Sequence, residues 1–401
     1  MNLKISLILV PKFRKALKMS LFKGECVKIG CLLINILNDM IIETYNFFLG
    51  QYKEYFYRAK MNKLWKKFSK GLIITPLTAE QNEEIKSYWF ELTGKKVSTK
   101  WHQLFYALTG VYQKEWMPFE ICRDIQETLS PSKTMSYFDD KNLYRYLLKD
   151  FVISKRYLEC SNGVWSRILD GVAVSSSRHE CCKLIQNLGP CVIKPSIGTD
   201  GGNGVRLLEL KNGVDNRTGD SIEKIFDSYY PNFLVEDRIF ECENLAKLNS
   251  DSCNTMRVHT WRNRKENQVE FLSSYMRIGK KGSIRDNMAQ GGMGVEVFAD
   301  GSLQKGISCY PYRIYDKTDS DVFLDGYIIE DFKKIKETAI KAHMNLPMFD
   351  LCGWDIGVDS VVNVIIIEFN PNPDMRIEQL IFGTSCYKKQ TDKVCKQVFS
   401  K

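Results

Sequence analysis

The sequence predicts an α+β chain: a mostly helical N-terminal region followed, from about residue 136, by antiparallel hairpins with helices between them. Three stretches carry that expectation. Cys191–Pro195 reads as a short apolar strand that delivers Lys194, and glycines at 198, 201, 202 and 204 join it to a second strand, Val205–Leu210. In Asn254–Trp261, Met256, Val258 and Thr260 alternate with Arg257, His259 and Trp261, the period of two that marks a strand; it pairs with Val269–Ile278 across the polar turn 262–268. Gly353–Asn370 closes on itself as a hairpin with one apolar and one acidic face.

The bulk properties agree with a folded protein of several domains. With 401 residues, 44% hydrophobic and 26% charged, the chain holds enough apolar side chains for a substantial core. Its 13 cysteines are odd in number and include the adjacent pair Cys181 and Cys182 but no C-x-x-C, and its four histidines stand far apart. That usage fits thiols in a reducing cytoplasm, not a zinc site or a disulfide framework. The apolar run Ile5–Val10 is too short for the core of an export signal. Residues 26–42 are broken by Lys28, Asn35, Asn38 and Asp39, so no membrane span is expected.

Charge is unevenly placed. Residues 1–70 carry 14 Lys and Arg against 4 Asp and Glu, whereas the remainder is balanced at 43 against 44. A basic, aromatic-bearing helical extension over 1–70 is the kind of segment that lies on an anionic membrane surface or on a partner; the alternative is a solvated helix packed on the body. The location implied is cytoplasmic, with peripheral contact at the inner face of the membrane. Outside that extension, no interleaving of aromatic and basic residues suggests a nucleic-acid groove.

Taken in order, 1–70 reads as the basic extension and 71–135 as a helical N-terminal region. Thr78 caps a helix that begins at Glu80, and Ser98–Ala107 forms another, whose His102 is read as structural. From 136 to 235 runs a region built on the glycine-rich hairpin: a short amphipathic helix over Asp139–Leu148, a helix from Ser175 to Gly189, the lysine strand, and a helix near 220–229. The rest, 236–401, follows the short strand Phe233–Glu236. It comprises the Asn254–Ile278 hairpin, the glycine-bearing loop Arg285–Gly294, a turn at Asp300–Gly301, a helix over Asp331–His343, and the acidic hairpin.

Chemistry concentrates at the two hairpins. The glycines join strand to strand and the lysine precedes them, so neither a Walker loop nor a dinucleotide-binding turn is present. Bare backbone amides still close over a triphosphate while Lys194 supplies a point charge. In the acidic hairpin, a four-residue loop Ser360–Asn363 pairs Asp355 with Glu368, Gly357 with Ile366 and Asp359 with Val364. Trp354/Phe369, Ile356/Ile367 and Val358/Ile365 then form the apolar face. Opposed carboxylates repel unless one is protonated or a cation lies between them, and with Asn370 on the same face the set suits Mg²⁺. Arg257 and Arg277 are expected to point into one cleft.

These residues resemble the ATP-grasp superfamily, and "IKPSIGTDGGNGV", "NTMRVHT", "DNMAQGGMGV" and "GWDIGV…IIIEFNPNPD" resemble its sugar-transfer-associated branch. The resemblance implies the ATP-grasp fold, two antiparallel-sheet subdomains that hold ATP between them, over roughly 136–385. It implies ATP with Mg²⁺, or Mn²⁺ in its place. Lys141, Lys194, Gly198, Gly201, Gly202 and Gly204 would serve the phosphates, Glu236 and Glu243 adenine and ribose, and Asp355, Glu368 and Asn370 the metal. Arg257 and Arg277 would serve the transferred phosphoryl group, and Arg285, Asp286, Asn287, Gly291 and Gly292 the substrate. The function implied is a carboxylate–amine ligase working through an acyl-phosphate on small or sugar-linked substrates, in surface-polysaccharide synthesis and in contact with its enzymes. A kinase on the same fold and a non-catalytic nucleotide-binding scaffold are the alternatives.

Overall fold

The computed structural model describes residues 26–135, 138–198 and 202–400. Met1–Lys70 and Gly71–Lys401 are separate units. Within the first, Cys26–Ser69 is one helix of 44 residues, and the expected extension's first 25 residues lie outside the described part. No helix among the described residues is long and apolar enough to cross a membrane.

In Gly71–Lys401, Thr78 and Gln81 close a capping box at the start of helix Ala79–Thr93, satisfying amides that the first turn leaves open. Its apolar face, Ile85 and Trp89, meets Ile121, Ile125 and Leu129 of helix Phe119–Leu129 and Val394 of helix Thr391–Phe399. His102 is buried, and loss of hydration holds it at about 4, the neutral state of a structural histidine.

Two seven-stranded antiparallel sheets follow. The first contains β1 (Arg156–Ser161), β2 (Val164–Leu169), β3 (Val172–Ser175), β4 (Pro190–Pro195), β5 (Arg206–Lys211), β6 (Val214–Asp215) and β7 (Phe233–Asp237), in the order β3-β2-β1-β7-β4-β5-β6. Strand β7 crosses the 235/236 boundary read from the sequence and belongs wholly to this sheet. Helices Arg178–Ile185 and Ile222–Tyr229 cover one face, burying Cys181, Ile185, Ile225 and Phe226 with Ile193, Leu208 and Val235.

The second sheet is built from β8 (Thr255–Asn263), β9 (Gln268–Ile278), β10 (Met293–Val297), β11 (Leu303–Cys309), β12 (Tyr312–Tyr315), β13 (Leu351–Val358) and β14 (Val364–Asn370). Their order is β12-β11-β10-β9-β8-β13-β14. Helix Phe332–Met344 seals one face: Phe332, Ile335, Ala339 and Ala342 pack with Met256, Val258, Trp354 and Phe369. On the opposite face the N-terminal helices bury Trp261, Leu272 and Leu351. The part of that face they leave uncovered carries the polar side chains described below.

The acidic hairpin departs from its expected register. Asp355 does face Glu368 and Trp354 faces Phe369, but a bulge then shifts the ladder, so Ile356 faces Ile366, Gly357 faces Ile365 and Val358 faces Val364. The loop is shorter than the four residues expected. Asp359 pairs with Asn363 through the backbone at 3.0 Å, Val362 takes a positive φ of 66°, and the Asp359 carboxylate accepts from the amides of Val361 and Asn363. One residue is thereby left over, and the bulge absorbs it at Ile367, which lines the cleft instead of the apolar layer.

Candidate active site

A cleft of about 440 Å³ lies between the sheets and is lined by both. From the first sheet comes Lys194, on a central strand and only 7% exposed. Its Nζ is 2.5 Å from Oε1 of Glu236 on the neighbouring β7, and Arg156 approaches the same carboxylate at 3.8 Å. Beyond β4 the chain turns back through glycines. Gly198, Gly202 and Gly204 all take positive φ, and a Cβ on Gly204 would sit 2.7 Å from the ring of Pro195, so the hairpin closes only without one. Gly202 lines the cleft. Gly201 lies outside the described residues.

Lys141 links the two sheets. The expected helix over Asp139–Leu148 is split into a 3₁₀ turn, Lys141–Leu143, capped by Asp140, and one α-turn, Tyr144–Leu147. The Lys141 amide donates to the carbonyl of Ser196 at 2.8 Å, beside the glycine loop. Its Nζ reaches 3.4 Å from Oε1 of Glu368 on β14. One backbone position therefore ties the phosphate-type loop to the acidic hairpin.

On the second sheet, β8 lies between β9 and β13, and this non-local pairing brings three charged residues together. Asp355 faces Arg257 across the ladder. Arg257 donates to it through Nε at 2.5 Å and Nη2 at 3.2 Å, and Arg277 Nη2 lies 2.9 Å from its Oδ2. Burial pushes the Asp355 carboxyl up, but the two guanidinium charges outweigh it and hold the group below the usual range. Arg277 also donates to the Thr255 hydroxyl at 2.9 and 2.6 Å, and that hydroxyl donates to Asp286. Burial, the largest influence on Asp286, raises its pKa against the opposing pull of Arg277. Opposite Asp355, the Glu368 side chain keeps 35% exposure and Asn370 Oδ1 accepts from the Asn372 amide at 3.0 Å.

The cleft thus brings together Lys141, Lys194, Gly202, Glu236, Arg257, Arg277, Arg285, Asp286, Asn287, Asp355, Glu368 and Asn370. Five expected residues are absent from its lining: Gly198 and Gly204, which shape the hairpin, and Glu243, Gly291 and Gly292. Glu243 opens a short helix, Glu243–Ala246, and its side chain is 84% exposed and paired with Lys247 at 2.9 Å, so it does not face the cleft. Gly291 and Gly292 shape the loop: Gly291 has φ +98°, and a Cβ on Gly292 would meet the carbonyls of Asp286 and Ile278 at 2.7 and 2.8 Å. Arg285 crosses to the first sheet, its Nη2 3.4 Å from the carbonyl of Val205. The Asp355–Glu368 opposition, for which a divalent cation is the economical answer on sequence grounds, is relieved on the Asp355 side by Arg257 and Arg277.

Sequence reasoning missed three features. Glu241, not Glu243, is the acid that lines the cleft after β7; it accepts from the Asn254 amide at 2.7 Å and from its side chain at 2.9 Å. Ile367 enters through the bulge. Further along the arginine face, Tyr275 donates to Glu378 at 2.7 Å and His259 Nε2 lies 3.2 Å from the same carboxylate, out of line for a hydrogen bond. Burial raises Glu378 to about 7 and drives His259 well below its usual value, so the histidine stays neutral behind Arg257 while Glu378 holds its proton far above the pH at which a free carboxyl loses it.

Burial also raises Glu241, to about 8 from 4.5. The folded state therefore retains a proton that the unfolded chain releases, and the stability this group contributes is fully present below about 4.5 and is lost as pH rises to about 8. Glu241→Gln is expected to flatten that slope. Denaturant melts of both proteins across this range measure it, and an unchanged slope would assign the titration elsewhere.

Two antiparallel sheets enclosing a cleft with a lysine strand, a glycine-rich hairpin and an acidic hairpin define an ATP-grasp protein. The chain belongs to the sugar-transfer associated ATP-grasp family, whose sequence profile matches residues 121–396. None of the curated proteins matches it. Among solved structures it is similar to the ATP-grasp ligase PsnB complexed with a minimal precursor, at 12% identity and a TM-score of 0.36, over 67% of this chain and 62% of that one. It is similar to N5-carboxyaminoimidazole synthetase from Staphylococcus aureus complexed with ADP, at 15% identity and 0.35, over 59% and 46%. A third is the biotin carboxylase domain of Hydrogenobacter thermophilus 2-oxoglutarate carboxylase with MgADP and bicarbonate, at 14% and 0.38, over 67% and 47%. The chain spans between 46% and 62% of the length of these solved chains.

Proposed function

We propose that the chain is an ATP-dependent ligase that joins a carboxylate to an amine or similar nucleophile, in the synthesis of surface polysaccharide or a sugar conjugate. The observation that carries this reading is the convergence of Arg257 and Arg277 on Asp355, with Lys141 and Glu368 opposite and Lys194 facing them from the other sheet. Such a cleft is built to gather anionic oxygens. The substrate carboxylate attacks the γ-phosphorus, ADP departs, and the acyl-phosphate is captured by the nucleophile with release of phosphate. The arginines neutralise charge on the transferred group, and both sheets fix its line of approach.

The donor set fits a hard divalent cation, Mg²⁺ or Mn²⁺. Glu368 is partly exposed with one cationic neighbour, and the Asn370 carbonyl oxygen keeps a second lone pair. Asp355 has both oxygens engaged by arginine, which makes it a secondary donor. When bound, the cation supplies charge neutralisation on the phosphates. Because Lys194 and Arg156 occupy the Glu236 carboxylate, the purine edge falls to the backbone at the end of β7, with Ile367 as an apolar floor. Glu241 takes over the ribose role first expected of Glu243.

The test is product analysis after incubation with ATP, Mg²⁺ and pairs of carboxylates and amines. The expected outcome is ADP, free phosphate and an amide. A phosphorylated hydroxyl without free phosphate would replace the ligase with a kinase, and no ADP from any pair, despite ATP binding, would leave a scaffold.

A further inference from the structure

The helix Cys26–Ser69 carries a pattern that the ATP site does not use. At about 100° per residue, Ile42, Tyr45, Phe48, Tyr52, Tyr55 and Phe56 fall within one arc of about 140°. Each is between 52% and 69% exposed. The Phe56 ring lies 4.4 Å from that of Tyr52 and 5.6 Å from that of Tyr55, so neighbouring members of the stripe touch. Toward the C-terminal end the same arc continues into Lys60, Lys63, Lys66 and Lys67, all exposed. The helix's acids at 39, 43 and 54 project from a different side, and Glu54 is held there by Arg58 at 2.7 Å.

We propose that this face is a lipid-docking surface: the helix lies in the plane of an anionic bilayer, with the aromatic and aliphatic side chains among the upper acyl carbons and the lysines at the phosphates. Contiguous exposed apolar side chains of this kind mark an interaction surface, whereas single ones need no explanation. Rings at the boundary of water and hydrocarbon, beside lysines whose stems reach back to the headgroups, are the chemistry of an interfacial helix. Charge decides the occupant. The stripe holds four lysines and no acid, so the matching surface must be negative, and a second copy laid parallel on this face would set lysine against lysine.

Co-sedimentation of the full chain with phosphatidylcholine vesicles, with and without phosphatidylglycerol, tests the proposal. Binding is expected with the anionic lipid alone and should weaken as salt rises. Replacing Lys60, Lys63, Lys66 and Lys67 by Gln should lower affinity about a thousandfold and remove most of the salt dependence. Phe48→Ser, Tyr52→Ser and Phe56→Ser together should lower it about tenfold or more. Both variants should bind ATP like the parent, which shows that the fold is intact. The proposal is overturned if the full chain ignores anionic vesicles at low salt, or if the aromatic variant binds them as well as the parent. It is also overturned if the stripe instead drives self-association in lipid-free solution that the aromatic variant abolishes.

Discussion

Replacing Asp355 by asparagine is expected to lower the stability of the nucleotide-free protein by about 3–5 kcal/mol and to abolish ATP turnover. The carboxylate is buried, and two guanidinium groups converge on it within 2.5–2.9 Å. Removing its charge takes the carboxylate from Arg257 and leaves Arg277 with Asp286 alone, 3.4 Å away, and a buried cation that loses its partner costs far more than the pair contributes. Glu368→Gln should behave differently. That side chain is one-third exposed and has a single lysine neighbour at 3.4 Å, so its loss should leave the melting transition close to the parent's while Mg²⁺-dependent turnover disappears. Melts without nucleotide, read beside ADP release, separate the two residues. If Asp355→Asn melted with the parent, the arginines would have to be anchored elsewhere and the charge cluster would not be structural.

For Asp355 this departs from the picture of two carboxylates that merely repel each other, and the reason is topological. Local pattern was enough to pair Asn254–Trp261 with its successor and Asp355 with Glu368, because each pairing spans one turn. It could not show that β8 and β13 are neighbours, since their contact joins residues 98 positions apart. That non-local ladder supplies the counter-ions for Asp355. The bulge at Ile367 had a local cause that pattern also conceals: the Asp359 side chain stabilises a shorter loop than strict alternation assumes. Placement of the cleft-lining acid after β7 failed for a similar reason. Counting from Glu236 to Glu243 ignores the bridge that pins Glu241 beside Asp359 and the turn that starts a helix at the next residue but one. The i,i+4 pair Glu243–Lys247 was the available sign of that helix. By contrast, Lys194 and the glycine hairpin were legible, because strand, charge and turn chemistry all lie within one short stretch.

Lys194→Ala is expected to weaken Mg·ATP binding roughly tenfold to hundredfold, the value of one or two charge-assisted hydrogen bonds to phosphate. The lysine is buried on a central strand, so its ammonium is held at the mouth of the glycine hairpin and little conformational entropy is lost when a phosphate arrives. Glu236, 2.5 Å away, keeps the charge oriented and compensated before the nucleotide enters. In the alanine variant Arg156, 3.8 Å from Glu236, remains as a second counter-ion, so the sheet should stay folded and the loss should appear in affinity. Titration calorimetry with a non-hydrolysable ATP analogue, beside a melt of the nucleotide-free variant, reads both quantities. Equal affinity in variant and parent would confine Lys194 to its ion pair with Glu236 and pass the phosphates to Lys141 and the loop amides.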